Sequence, residues 1–216
     1  MISHFRRLPY IDLLVKSYPA LASISETILQ VIKVIGEAYE AGSKLLICGN
    51  GGSATDSEHI ACELMKAFVL PRTLKEDDIN KLQNIGISDW EEIAVNLQRG
   101  LPAIALTAHS ALISAIANDI SQSMVYAQQV YVLGKPGDVL LCISTSGNSE
   151  NVIMAAKVAQ SFGLKTIGLT GSRSSILESY CDITIKVPCT ETYQVQEYHL
   201  PVYHTICLML ESYFFS

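Results

Sequence analysis

Five short aliphatic runs, most of them leading into a stretch of helical periodicity, constrain this chain more than any other feature. The runs are Lys44–Cys48, Pro102–Leu106, Val139–Ser144, Lys165–Leu169 and Asp182–Val187. Helix-like stretches at Ser53–Phe68, Ser110–Asp119 and Asn151–Phe162 follow the first three. Strands that are aliphatic throughout, rather than alternating with polar residues, are buried on both faces. Their alternation with helices implies a parallel sheet covered on both sides. The expected fold class is α/β: a three-layer αβα sandwich, doubly wound around a five-stranded parallel sheet, with N-terminal helices. Ligands of such sheets bind beyond the carboxyl ends of the strands. Function is therefore sought in the loops after Cys48, Leu106 and Ser144.

The flanking segments are helical. From Leu21 to Ala41 apolar residues recur at Ile24, Ile28, Ile32, Ile35 and Tyr39, and Gly42 supplies a stop. Leu29, Val31 and Val34 make other sides apolar too, so the helix lies deep in a core or against another subunit. Residues 1–42 are accordingly expected to serve oligomerisation. A long apolar helix, roughly Tyr193–Phe215, ends the chain. Pro71–Arg99 interrupts the alternation with Lys75, Glu76, Asp77, Asp78, Lys81, Asp89, Glu91 and Glu92, and holds the only tryptophan, Trp90. Its second half reads as a turn and a short helix capped at Ser88. Residues 71–101 are thus an insertion, either a solvated surface element or a lid.

At 216 residues, of which 49% are hydrophobic, the chain is long enough for one domain, 1–216, with a full core. Lys plus Arg is 15 and Asp plus Glu 21, a net charge of −6. That balance argues against a nucleic-acid partner bound through a basic surface. No run of about 18 uncharged apolar residues and no signal-peptide pattern is apparent, so neither a membrane span nor export is expected. The six cysteines contain no C-x-x-C, and Cys48, Cys142, Cys62 and Cys207 lie in strand-like or helix-like runs. They read as small hydrophobes in a reducing cytoplasm.

Four motifs carry chemistry. In Cys48-Gly49-Asn50-Gly51-Gly52-Ser53 the glycines let the backbone approach a ligand, and Ser53 opens a helix whose free N–H groups attract an anion. It matches neither a dinucleotide fingerprint nor a nucleotide P-loop. Ser144-Thr145-Ser146-Gly147-Asn148-Ser149 gathers four hydroxyls around a glycine. Hydroxyls, backbone N–H groups and a helix dipole can together hold a phosphate dianion without arginine. His59 and Glu63, four apart, share one helix face. They suit a base with its partner, two metal ligands, or a surface hydrogen-bonded pair. Gln196 and His204 open the last helix about 12 Å apart along its axis, with Pro201 between them. Spacing alone does not make these two one site.

Taken together, CGNGGSATDSEHIACEL, SALISAIAND, STSGNSENV, LTG and QVQEYH…H resemble the phosphoheptose isomerases of the sugar-isomerase (SIS) domain superfamily. The resemblance runs from about Leu21 to the C-terminus and breaks in the insertion. It implies that Asn50, Gly51, Gly52, Ser53, Asn118, Asp119, Ser144, Thr145, Ser146, Ser149 and Gln196 contact a phosphosugar. It further implies Glu63 as catalytic carboxylate and His204 as catalytic histidine. His59, Glu63, Gln196 and His204 match the zinc ligands of some members, and the family forms homotetramers with sites at subunit interfaces. The implied reaction interconverts sedoheptulose 7-phosphate and D-glycero-D-manno-heptose 7-phosphate through an enediol, with Glu63 as base and His204 as proton carrier. Rival readings are another phosphosugar isomerase, or a non-catalytic SIS module that binds a phosphosugar or protein. The sequence departs from the family at Lys66-Ala67, where members carry a Gly-Arg pair, and in its longer insertion.

Overall fold

The computed structural model describes Phe5 and residues 9–216. All five aliphatic runs are strands: β1 (Leu45–Gly49), β2 (Ala103–Ala105), β3 (Val139–Ile143), β4 (Lys165–Thr170) and β5 (Ile183–Lys186). They form one sheet in the order β2-β1-β3-β4-β5, with every pair parallel. The helices are α1 (Tyr10–Ser17), α2 (Ser25–Glu40), α3 (Gly52–Met65), α4 (Glu76–Asn84), α5 (Trp90–Asn96), α6 (Ser110–Asp119), α7 (Ala127–Leu133), α8 (Glu150–Ser161) and α9 (Thr192–Phe215).

Alternate strand residues feed two cores. Leu45, Ile47, Leu141, Ile167 and Leu169 pack with α2, α3 and α9, whereas Leu46, Cys48, Leu140 and Cys142 pack with α6, α7 and α8. The sheet is thus covered on both faces, as the unbroken aliphatic runs require. From β1 the chain moves to β2 on one side and then to β3 on the other. The strand order therefore reverses between β1 and β3, and a crevice opens beyond their carboxyl ends.

Several expectations need correction. The helix foreseen from Leu21 begins as a 3₁₀ turn, Pro19–Ile24, before α2. The stretch Pro19–Glu40 is long and apolar enough, by length and composition alone, to match a membrane span. Eight of the 16 residues of α2 are nevertheless buried within this chain. Of the two readings of this apolar helix, those eight residues meet the first, burial in the chain's own core. Cys62 is exposed and all six cysteines are free. In the insertion, α5 starts after Asp89, with no side-chain cap at Ser88, and neither α4 nor α5 buries a residue. Pro201 lies inside α9 without ending it.

The most consequential difference is the end of α3. The sequence predicts helix to Phe68, but α3 stops at Met65 and Lys66 is extended, φ −129° and ψ 175°. The last carbonyls of a helix lack intrahelical partners. Here the guanidinium of Arg72 takes two of them, donating to the Leu64 carbonyl (2.6 Å) and the Glu63 carbonyl (2.9 Å). Arg72 also donates through Nε to Glu211 Oε1 at 2.9 Å, and lies 4.5 Å above the Phe215 ring. The Glu211 carboxylate further accepts from the Phe68 and Val69 N–H groups at 2.8 and 2.9 Å. Burial alone would raise the pKa of Glu211, but these donors outweigh it and hold it below the ordinary glutamate value. Glu211→Ala would strand a buried guanidinium and two amides. It is expected to cost about 3–5 kcal/mol of stability, read as a lowered urea midpoint; an unchanged midpoint contradicts this role.

Candidate active site

The loop after β1 is shaped by glycines at which a side chain would clash or strain the backbone. Gly51 has φ +56°, and a methyl on Gly49 would lie 2.7 Å from the Ser53 carbonyl oxygen. A methyl on Gly52 would lie 2.5 Å from Gln196 Nε2, so the Gln196 amide rests directly on the first turn of α3. Ser53 is buried there. Asn50 reaches across the crevice to Asn151 at the start of α8, and the two amides exchange hydrogen bonds of 2.8 and 2.9 Å. Tyr126 donates to the Gly49 carbonyl beneath them. Asn151 and Tyr126 escaped the sequence reading, because a lone polar residue on a helix gives no signal of its own.

The loop after β3 is a hydroxyl cradle. Ser144 is buried, its Oγ lies 3.1 Å from Ser149 Oγ, and it accepts from the Gly147 N–H at 3.1 Å. Gly147, at φ +64°, turns the loop. Ser146 Oγ accepts from the Asn148 N–H at 3.1 Å. Thr145, Ser146 and Asn148 line a cavity of about 160 Å³ whose far wall is residues 171–174 with Thr190 and Thr192. Arg173 in that wall is a cation that the sequence reading stopped short of, two residues past Leu-Thr-Gly. Its guanidinium is 3.7 Å from Glu191.

The acid–base residues gather where α3 meets α9. His59 Nε2 lies 3.2 Å from Glu63 Oε1, and Lys66 Nζ donates to Glu63 Oε2 at 3.0 Å. Lys66, noted in the sequence only as a departure, thus sets a cation on the candidate base. The His204 ring stands 5.0 Å from His59 and 5.5 Å from Phe68, centroid to centroid. Its Nε2 is buried and has no hydrogen-bond partner among the described residues. Burial lowers the His204 pKa, His59 lowers it further and Glu63 opposes, which favours the neutral imidazole. A second histidine on α9, His199, is fully buried and its pKa is pushed down to about 4 by desolvation.

Gln196 belongs to a different level. It sits on Gly52, whereas His204 sits by His59. Seven residues of α3 separate those levels, roughly 10 Å of rise. The two helices therefore run side by side in the same sense. Glu63 already engages His59 and Lys66, and His59 Nδ1 meets the Tyr203 hydroxyl at 3.0 Å. Among the described residues no three His, Cys, Asp or Glu side chains are placed to hold a metal ion together. As arranged, Gln196 stands a level away from His59, Glu63 and His204, the other three residues of the expected zinc set. Asn118 and Asp119, at the end of α6, are exposed and bond to each other at 2.8 Å. Among the described residues no hydrogen bond joins them to the crevice.

Comparison with known proteins gives this arrangement a lineage. The sequence model of the SIS domain matches residues 93–171. The chain is 38% identical over 191 residues to the phosphoheptose isomerase of Clostridium acetobutylicum, covering 88% of this chain and 84% of that one. It is 40% identical over 192 residues to the phosphoheptose isomerase of Maridesulfovibrio salexigens, covering 89% and 81%. The solved phosphoheptose isomerase of Neisseria gonorrhoeae superposes with a TM-score of 0.73 at 30% identity, covering 97% and 96%. That of Francisella tularensis gives 0.72 at 29%, covering 94% and 95%. With its parallel sheet, its paired loops at the switch point and its α3–α9 cluster, the chain belongs to the phosphoheptose isomerase family.

Proposed function

We propose that this protein isomerises sedoheptulose 7-phosphate and D-glycero-D-manno-heptose 7-phosphate, with Glu63 as the base at carbon. The observation that carries the assignment of roles is the contact of Glu63 and His59 beside a neutral, partly unpartnered His204, in a member of this family. A ketose–aldose isomerisation moves one proton between C1 and C2 and another between their oxygens. Glu63 takes the carbon-bound proton, the C–H electrons form the enediol double bond, and the proton returns to the neighbouring carbon. His204 carries the proton between the two oxygens. The Ser144–Ser149 cradle holds the phosphate, and Asn50 with the glycine turn positions the sugar between the loops.

We also propose a homotetramer. An apolar groove lined by Tyr10, Leu13, Tyr18, Val69, Leu200 and Pro201 runs up to His204, and a second subunit seated on it would close that edge from water. The expected result in sedimentation is an assembly at micromolar concentration, and a monomer overturns the proposal.

Glu63→Gln keeps the shape and removes the base. Its turnover on sedoheptulose 7-phosphate is expected to fall roughly 10²–10⁴-fold with the fold intact; parental turnover rejects the assignment, and preference for another phosphosugar rejects the substrate. Ser146→Ala and Ser149→Ala are each expected to weaken phosphosugar binding by about 1.5–3 kcal/mol in calorimetry. Chelator treatment decides whether zinc takes part: loss of turnover that added zinc restores makes His59, Glu63 and His204 part of a metal site, and full turnover of the stripped protein makes them a metal-free acid–base set.

A further inference from the structure

The hydroxyl cradle after β3 shares its cavity with a second wall, and hydrogen bonds pin that wall to the cradle at both ends. At the near end the Gly171 N–H donates to the Thr145 carbonyl at 3.0 Å. At the far end the Leu177 N–H donates to the Gly147 carbonyl at 3.1 Å, and the Ile176 N–H to Asn148 Oδ1 at 3.0 Å. The Ser175 N–H and hydroxyl both donate to Glu178 Oε1, at 2.7 and 3.2 Å, and Lys186 holds the same carboxylate oxygen at 3.0 Å. Arg173 stands between these anchors, so the backbone that carries it has a fixed place relative to the cradle.

Among the residues that line the cavity Arg173 alone is charged. The rest of the lining is rich in hydroxyls, with Thr145, Ser146, Thr190 and Thr192, and adds the Asn148 amide. In a cavity of about 160 Å³ one small ligand can touch the cradle and the guanidinium together. The guanidinium offers five N–H donors in one plane and no acceptor. Its neighbour Glu191 is 3.7 Å away, beyond hydrogen-bond distance, and the two side chains are 70% and 62% exposed. An ion pair this open to water contributes little, so the fold does not depend on the arginine staying beside Glu191.

The ligand chemistry follows from the donor set. A sugar phosphate is largely dianionic at pH 7, and the arginine fork matches two of its oxygens at once. Hydroxyls and amides alone can hold such a group, but they supply no net charge. On a chain of net charge −6, one cation in the pocket wall offsets the repulsion that the rest of the molecule exerts on an anion. We propose that Arg173 is a further substrate-binding residue, whose guanidinium closes on the substrate phosphate from the wall opposite the Ser144–Ser149 cradle. This rests on the reading of that cradle as the phosphate site of a phosphosugar isomerase. Neither Glu63 nor His204 lines this cavity, so the effect of Arg173 falls on KM and leaves kcat near the parental value.

Arg173→Gln removes the charge at an exposed position, and its melting temperature is expected to stay near that of the parent. Its KM for sedoheptulose 7-phosphate is expected to rise roughly 10-fold, the lower end for a charge-assisted hydrogen bond because the site is open to water. Inorganic phosphate, titrated by calorimetry, is expected to bind more weakly by a similar factor. Arg173→Lys keeps the charge and loses the fork, so it is expected to fall between the two. An Arg173→Gln protein with parental KM and parental phosphate affinity overturns the proposal. So does a lysine variant as weak as the glutamine one, because charge would then play no part. A parent that binds inorganic phosphate through Arg173 yet does not turn over sedoheptulose 7-phosphate would support the role of Arg173 and reject the isomerase reading instead.

Discussion

The buried pair of Arg72 and Glu211 is the interaction on which the rest of the site depends. Taking two charges out of water is costly, and attraction between them repays the cost only when the remaining donors and acceptors are also satisfied. Here they are. The guanidinium serves two carbonyls at the end of α3, and the carboxylate serves two N–H groups of the following turn. One of those carbonyls belongs to Glu63 itself. The pair thus sets where α3 stops, where Glu63 sits and how α9 lies against it. Many helices end on a glycine, with a proline often just beyond. This one ends on a charge supplied by a residue beyond its terminus and anchored on the last helix of the chain.

That anchoring explains how residues far apart in sequence come to share a crevice. With α3 and α9 side by side, contacts form at two levels. Gly52 meets Gln196 near the sheet edge, and His59 meets Tyr203 and His204 about two turns farther along. The upper level adjoins Asn50, whose amide bridges to Asn151 across the point where strand order reverses. A chain of net charge −6 can still bind a dianion, because the attraction comes from local N–H groups, hydroxyls and a helix N-terminus rather than from overall charge.

How much of this was legible in the sequence follows from what each residue's signal rests on. The strands were readable because burial on both faces leaves an unbroken aliphatic run, and the loops followed from strand polarity. The His59–Glu63 pair was readable because a four-residue spacing is a local geometric fact. The end of α3 was not, since Leu64-Met65-Lys66-Ala67 carries no local stop and the guanidinium that ends the helix arrives through tertiary packing. Arg72 itself sits at the start of a charged stretch that reads as solvated, yet it is among the most deeply buried side chains. The excess apolar character of α2 was real, but composition cannot say whether a chain's own sheet or another subunit covers it. Tyr203 was hidden for a similar reason: a tyrosine among aliphatic residues looks like core, and only the position of His59 on the facing helix shows what its hydroxyl meets.

The two-level arrangement also bears on how a shared donor set should be interpreted. His59, Glu63, Gln196 and His204 satisfy a ligand list by residue type, but type is silent on convergence. Gln196 is engaged one level away, Glu63 is bracketed by His59 and Lys66, and one nitrogen of His59 is taken by Tyr203. His59, Glu63 and His204 remain together at the other level. Glu63 has a cation on one oxygen and an imidazole on the other, and His204 stands beside them with a desolvated nitrogen that has no hydrogen-bond partner among the described residues. Enediol chemistry asks for a base at carbon and a neutral carrier at oxygen. Burial disfavours imidazolium at His204, and Lys66 lies 3.0 Å from Glu63.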